Sequence, residues 1–510
     1  MRASALILAL SSLAAVFFWY AGGVQVPGGS YMFFQWAQAI STGDTLSPQV
    51  AQRDIGFPLL IWLSGYSLTG SVLGILIVYA LFGALMPLLV YWTLRPFSPQ
   101  IAWMSGLVAI LSVGPYFFAK MFYHDQACIF FMTLTMCWFA LFLVRERYSW
   151  LCLFTIAATF TSLTRPAMNL IFPLLWFAAL AFGPRPRRLL PYTISLSAFI
   201  VTLALYQAYR FEAFDVTSLK ETPSYAGEQV FYNAYINASD YGVQLDLELG
   251  PAMRETFAKV REAISPSPAA SPAIKLLLTT EPKDFWPNFL LPTSDQLFDR
   301  IWKEPNYEYM TFIDQVVDDR TLFRAAMEII KRHPRYFATY TLRGATHYLF
   351  SPGYGHTRFS TQGYVKMGAG RFYPAETDLT ELPLFPARAQ LELRQPPSYQ
   401  YLMSRIAALW FASYDSFIRI TSGLMIVGWL VVLAVPIFSR AFVGCFAAAT
   451  ALLLYNALLQ GAFADADYRY EAMVIVLRVT IAGFGLIALI SPRMSPFLRS
   501  GASAIAYLGR

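Results

Sequence analysis

The sequence predicts an all-α polytopic membrane protein of about ten transmembrane helices, with a mainly helical outer-face domain inserted between the seventh and eighth spans. Three observations predict it: little charge, recurrent apolar runs, and one long hydrophilic interruption. Of 510 residues, 56% are hydrophobic and 14% charged, against about a quarter charged in an ordinary soluble domain. Apolar runs of about 18 to 25 residues recur, and about 20 helical residues cross a hydrocarbon core of about 30 Å. Backbone groups find no water in that core, so such a chain crosses it as helices.

The spans fall near 4–24, 68–94, 102–119, 126–144, 148–163, 167–183, 189–208, 415–437, 441–460 and 472–490. The first run, Ala3 to Gly22 behind Arg2, is read as an uncleaved span: its length suits a full crossing, and no small-x-small cleavage site follows. The chain thus divides into an N-terminal membrane block, 1–208, with an amphipathic first outer loop at 25–67, an outer-face domain at 209–405, and a C-terminal membrane block at 406–510.

The net charge of +7 would suggest nucleic acid if the cations formed a stripe, but they sit in short loops between apolar runs. Their placement is topological. Arg95, Arg145, Arg147, Arg185, Arg187, Arg188 and Arg440, with Arg493, Arg499 and Arg510 in the tail, fall on one side. Arg53, Lys120, Arg165 and Arg469 are scattered on the other. The positive-inside rule then makes both termini cytoplasmic and puts 209–405 outside, in the periplasm for a multi-pass protein of a bacterial inner membrane. Cys128, Cys137, Cys152 and Cys445 all lie in apolar segments, so the hydrophilic region has no disulfide framework.

Ionisable residues at the ends of membrane helices are expensive, which makes each a functional candidate. On the expected topology all the candidates face outward or lie near that face. In the first loop, Tyr31, Phe34, Ala37 and Ile40 have the spacing of an interfacial helix, followed by Arg53-Asp54-Ile55-Gly56-Phe57-Pro58. Arg53 and Asp54 could hold a phosphate and a base together, or Asp54 could simply cap the helix beginning at Phe57. His124-Asp125 opens the fourth span, where an acid suits the positive helix end and could also activate an acceptor. A divalent metal is admitted there but not specified, since one His and one Asp are too few for a ligand set. Leu163-Thr164-Arg165-Pro166 breaks the chain between the fifth and sixth spans and aims a permanent cation at the same face, unless Arg165 only snorkels. Asp465 to Glu471 concentrates Asp467, Arg469 and Tyr470 before the last span, and Arg478 lies inside that span, facing a polar cavity or an anion such as a lipid phosphate. His333, His347 and His356 are too dispersed for a metal motif.

The order of these motifs resembles the GT-C glycosyltransferases, the superfamily of protein O-mannosyltransferases and the lipid A aminoarabinose transferase. The match consists of the amphipathic stretch Tyr31 to Gly43, Arg53 to Pro58, Asp125, Leu163 to Pro166, and Tyr468-Arg469-Tyr470. It covers both membrane blocks but not 209–405. The resemblance implies transfer of a glycosyl group from a polyprenyl-phosphate-linked donor to a glycan, lipid or protein acceptor on the non-cytoplasmic face. It also implies a carboxylate base and arginines on the departing phosphate. Relatives usually carry an acid at the end of the first span, where this chain has Gly28, Gly29 and Ser30. Asp54 is therefore the first choice of base and Asp125 the second. Arg53, His124, Arg165, Asp467, Arg469, Tyr470 and Arg478 are the substrate-binding residues on this reading. A ligase or polymerase of lipid-linked polysaccharide would use similar arginines. A transporter or flippase would place its ionisable residues near the midplane, often with internal repeats, whereas here they gather at one face without a visible repeat.

Overall fold

The structure, a computed structural model, describes residues 2–21, 30–47, 50, 54–112, 114–117, 122–165, 168–183, 189–214, 227, 230–231, 234, 250–264, 317–350, 365–366, 373–374, 384–393, 414–434, 438–463 and 468–490. The described residues are almost wholly helical. In chain order they form α1 (Arg2–Ala21), α2 (Ser30–Thr42), α3 (Gly56–Leu63), α4 (Tyr66–Thr69), α5 (Leu73–Leu94), α6 (Pro99–Leu111), α7 (Gly114–Phe117), α8 (Asp125–Arg145), α9 (Tyr148–Thr164), α10 (Ile171–Phe182) and α11 (Leu190–Ala213). There follow α12 (Pro251–Ile264), α13 (Asp319–Arg332), α14 (Pro334–Phe350), α15 (Ala387–Leu393), α16 (Tyr414–Ala434), α17 (Arg440–Phe463) and α18 (Tyr468–Ile490). One two-residue antiparallel pair joins Val365–Lys366 to Tyr373–Pro374.

Each of the ten expected spans contains an apolar helix. Five of them, α1, α5, α8, α11 and α17, are long and apolar enough to cross a membrane, while α6, α9, α10, α16 and α18 contain shorter apolar stretches. Local chemistry sets several ends. Ser98 caps α6 by accepting from the Ile101 amide at 3.4 Å, with Pro99 pre-set for the first turn. Between α8 and α9 stand only Glu146, in the left-handed conformation at φ 54°, and Arg147, so the two helices form a tight antiparallel hairpin. Tyr468 to Glu471, expected as loop, belong instead to α18, which begins four residues before the expected span at 472.

The chain divides into two compact units. The first comprises Met1–Glu221, Leu349–Asn456 and Asp467–Arg510, and the second Thr222–Tyr348 and Ala457–Ala466. Hydrocarbon offers no hydrophobic drive between helices, so close backbone approach matters within the first unit. A Cβ on Gly428 of α16 would stand 2.8 Å from the Gly485 Cα of α18, an approach that only glycine permits. Polar glue is added where Thr155 of α9 meets Ser195 of α11 at 2.6 Å.

In the second unit, α12 and α13 run antiparallel and are tied together at both ends. Glu328 of α13 accepts from the Ala252 and Met253 amides at the start of α12, at 2.9 and 3.1 Å. At the other end Asp318 caps α13 through the Thr321 amide at 2.9 Å and takes the Lys259 ammonium of α12 at 2.8 Å.

Candidate functional site

The α8–α9 hairpin builds the centre of the site. Because the helices are antiparallel, the start of α8 lies beside the end of α9, and the two helix ends have opposite polarity. Asp125 is the first residue of α8 and suits its positive end; Arg165 follows α9 and suits its negative end. Arg165 is extended, at φ −155° and ψ 107°, as a residue before proline prefers. Its Nη1 reaches to 3.8 Å from Asp125 Oδ1, with Asp125 fully buried and Arg165 12% exposed. His124 Nε2 stands at 3.8 Å from the same oxygen. At such a separation, unit charges attract by about 4 kcal/mol at an effective dielectric of about 20.

Asp54 reaches this centre through a glycine. Ile55 occupies the N-cap position of α3 and makes no side-chain cap hydrogen bond, with Asp54 one residue before it. A Cβ on the next residue, Gly56, would lie 2.5 Å from the Thr164 amide and 2.6 Å from the Leu163 carbonyl carbon. The start of α3 is therefore pressed directly against the end of α9. One turn into α8, Cys128 lies within electrostatic reach of Arg165, Asp125 and Asp54 together. These three residues, expected from the sequence to share one site, are brought to one end of the bundle.

Backbone contacts hold His124 and Asp125 in place. Ser30 of α2 donates to the Phe122 carbonyl at 3.0 Å, and Tyr79 of α5 donates to the Tyr123 carbonyl at 2.6 Å. Gln126 donates to the Pro115 carbonyl at 2.8 Å. The imidazole of His124 lies against Phe33 of α2, with ring centroids 5.8 Å apart and edge-to-face. The helix α2 is amphipathic as its spacing predicts, and it buries Phe33, Phe34, Trp36, Ala37 and Ala39. Phe33, Phe34 and Ala37 join a cluster with Phe57, Tyr79 and Phe122, while Trp36 and Ala39 pack with Leu163, Tyr206 and Phe214.

The end of α11 adds residues the sequence reading missed. Tyr206 lies within electrostatic reach of both Asp54 and Arg210. The Arg210 guanidinium stands 5.8 Å from the Tyr206 and Phe214 ring centroids. Arg210 falls just beyond the expected span 189–208, which hid a cation that in fact belongs to the last turn of α11.

The remaining candidates are distributed differently. Arg478 is fully buried and its Nη1 donates to the Leu349 carbonyl at 3.1 Å and to Ser422 Oγ at 3.3 Å. These partners are protein groups at the end of α14 and on α16. Arg469 and Tyr470 lie in the first turn of α18, with their side chains outside the described residues, as are Arg53 and Asp467 altogether. His333 ends α13, the His347 side chain is outside the description, and so is His356. Among the described residues no group of three or more His, Cys, Asp or Glu could hold a metal ion.

No family model matches the chain, and no curated protein matches it. Among solved structures, it is similar to the crystal structure of ArnT from Cupriavidus metallidurans bound to undecaprenyl phosphate, at 13% identity over 96% of this chain and 79% of that one, with a TM-score of 0.33. It is likewise similar to the same protein in the apo state, at 15% identity over 97% and 80% of the two chains, with a TM-score of 0.34.

Proposed function

We propose that this protein transfers a glycosyl group from a polyprenyl-phosphate-linked sugar to a glycan, lipid or protein acceptor on the non-cytoplasmic face of a bacterial inner membrane. The observation that carries this reading is the buried Asp125 carboxylate 3.8 Å from the Arg165 guanidinium, with Asp54 pressed to the same helix ends through Gly56. Carboxylates and a permanent cation at one end of an apolar bundle fit an acceptor hydroxyl and a lipid phosphate meeting at the interface. The arginine distribution in the loops supports placing that end outside.

The chemistry assigned to these groups is a single displacement. A carboxylate, Asp54 first and Asp125 second, takes the proton of the acceptor hydroxyl as its oxygen bonds to the anomeric carbon. The bond from that carbon to the phosphate oxygen breaks, and the polyprenyl phosphate leaves with the electron pair. Arg165, with Arg53 and Arg469, faces the charge gathered on the phosphate. Arg478 stands apart from this group, because its described hydrogen bonds go to Leu349 and Ser422.

Purified protein incubated with radiolabelled polyprenyl-phosphate sugars should release polyprenyl phosphate and label an envelope acceptor. Asp54→Asn and Asp125→Asn should each reduce turnover by about 10²-fold or more, the usual scale of a lost general base. Turnover that survives both substitutions would eliminate the mechanism.

A further inference from the structure

The segment Leu384–Leu393, more than 200 residues beyond Arg165 in sequence, is fastened to the layer that carries the site. Phe385, Ala389 and Leu393 recur every four residues and are buried in the cluster around Phe34, Phe57 and Phe122. The Phe385 ring centroid lies 5.3 Å from that of Tyr31 and 5.1 Å from that of Phe34, both on α2. Its other face is open: Leu384 is 52% exposed and Leu391 66%.

Glu392 makes the polar half of this attachment. Its carboxylate accepts from Ser71 Oγ at 2.7 and 2.8 Å, from the Val72 amide at 2.8 Å and from the Leu73 amide at 3.2 Å. These are donors at the start of α5, where the helix dipole favours an anion and no residue of α5's own first turn is acidic. Arg388 donates to the same carboxylate at 3.2 Å. Charge-assisted bonds of this kind are shorter and stronger than neutral ones, so a single side chain supplies much of the grip of a seven-residue helix.

The attachment leads to the chemistry in two steps. Phe385 packs on α2 and α2 in turn holds the Phe122 carbonyl through Ser30 and the His124 ring through Phe33. The start of α5, which Glu392 caps, leads to Tyr79, the donor to the Tyr123 carbonyl. We propose that Leu384–Leu393 is a clasp, latched by Glu392, that fastens α2 to α5 and thereby positions His124 and Asp125. Glu392 and Phe385 are positioning residues, since neither touches the reacting groups. The catalytic consequence rests on the transferase reading; the fastening does not.

Hydrogen exchange on the full chain in detergent micelles tests the fastening. Glu392→Ala and Phe385→Ala should each raise exchange about tenfold in peptides covering 30–42 and 122–127, the factor that corresponds to about 1.4 kcal/mol. Peptides of α16 and α18 should be unchanged, which shows that the variants are folded. Glu392→Gln, which keeps an acceptor and loses the charge, should fall between wild type and Glu392→Ala. Unchanged exchange over 30–42 in both alanine variants overturns the clasp, as does a uniform rise across all helices.

The transfer assay supplies the second reading. Glu392→Ala should lower kcat about tenfold with the KM for the lipid donor within about twofold, because the residue orients the carboxylates without touching the donor. Glu392→Gln should restore part of the loss. A change in KM alone overturns the positioning role. If the wild type transfers no sugar, the transferase reading fails while the exchange result still decides the clasp.

Discussion

The Arg165 guanidinium stands 3.8 Å from the Asp125 carboxylate, although the two belong to opposite ends of neighbouring helices and Asp125 is wholly buried. Breaking such a pair by removing one partner strands the other charge, at a cost of about 3–5 kcal/mol. Arg165→Ala should therefore lower thermal stability in detergent more than the double variant Arg165→Ala/Asp125→Asn, which removes both charges. Equal losses in the two, by calorimetry or scanning fluorimetry, would show that the pair is not coupled.

Gly56 should tolerate no side chain. An alanine Cβ would meet backbone atoms of Leu163 and Thr164 at 2.5–2.7 Å, and overpacking of this kind costs about 1–3 kcal/mol. Gly56→Ala should move Asp54 away from Arg165, reducing both stability and turnover. The control is Gly43→Ala: Gly43 has φ +75° but nothing within 4 Å of its Cβ position, so its cost of about 1 kcal/mol is local backbone strain, with turnover kept.

Arg478 should behave as a strut. Arg478→Leu removes the bonds now made to the Leu349 carbonyl and the Ser422 hydroxyl at 3.1 and 3.3 Å, while Ser422 still donates to that carbonyl at 3.1 Å, so the loss is about 1.5–3 kcal/mol, the scale of a hydrogen bond to a charged group. The expected result is a lower unfolding temperature and faster hydrogen exchange in α16, with the donor KM unchanged. A raised KM at unchanged stability would return Arg478 to the phosphate-binding group.

The second unit should weaken in acid through Asp318. Partial burial alone would raise this carboxyl, but hydrogen bonds from Lys259 and from the Thr321 side chain and amide prevail and lower it to about 2. A carboxyl with a depressed folded value contributes stability that is present above its unfolded value of about 3.9 and is lost as the pH falls toward about 2. Asp318 and Lys259 are substantially exposed, at 56% and 36%, so solvent screening leaves a contribution of about 1 kcal/mol or less. Asp318→Asn should remove that increment at pH 7 and flatten the acid dependence of exchange in α12 and α13. An unaltered pH profile in the variant would assign the dependence to other groups.

The ten apolar helices and the amphipathic α2 were legible because hydrophobic runs and helical periodicity are local properties. The same holds for the break at Leu163 to Pro166, where α9 ends at Thr164. The start of α18 was misplaced because Tyr468 to Glu471 are polar, and hydropathy cannot distinguish a polar first turn from a loop. Arg210 was missed for the same reason at the end of α11. Glu392 gave no signal at all: an acid in a hydrophilic stretch looks solvated until a distant helix start is placed against it.

What the sequence by itself determined is the class of protein and the end of the hairpin at which Asp125 and Arg165 stand. A two-residue connection between α8 and α9 leaves them no other arrangement than antiparallel neighbours. Only the tertiary structure decided which other residues join them. Asp54 arrives through the contact of Gly56 with Thr164, Arg478 is drawn to Leu349 and Ser422, and Glu392 is drawn to the start of α5. Each of these depends on long-range packing and on satisfying buried polar groups, and neither is encoded in the spacing of nearby residues.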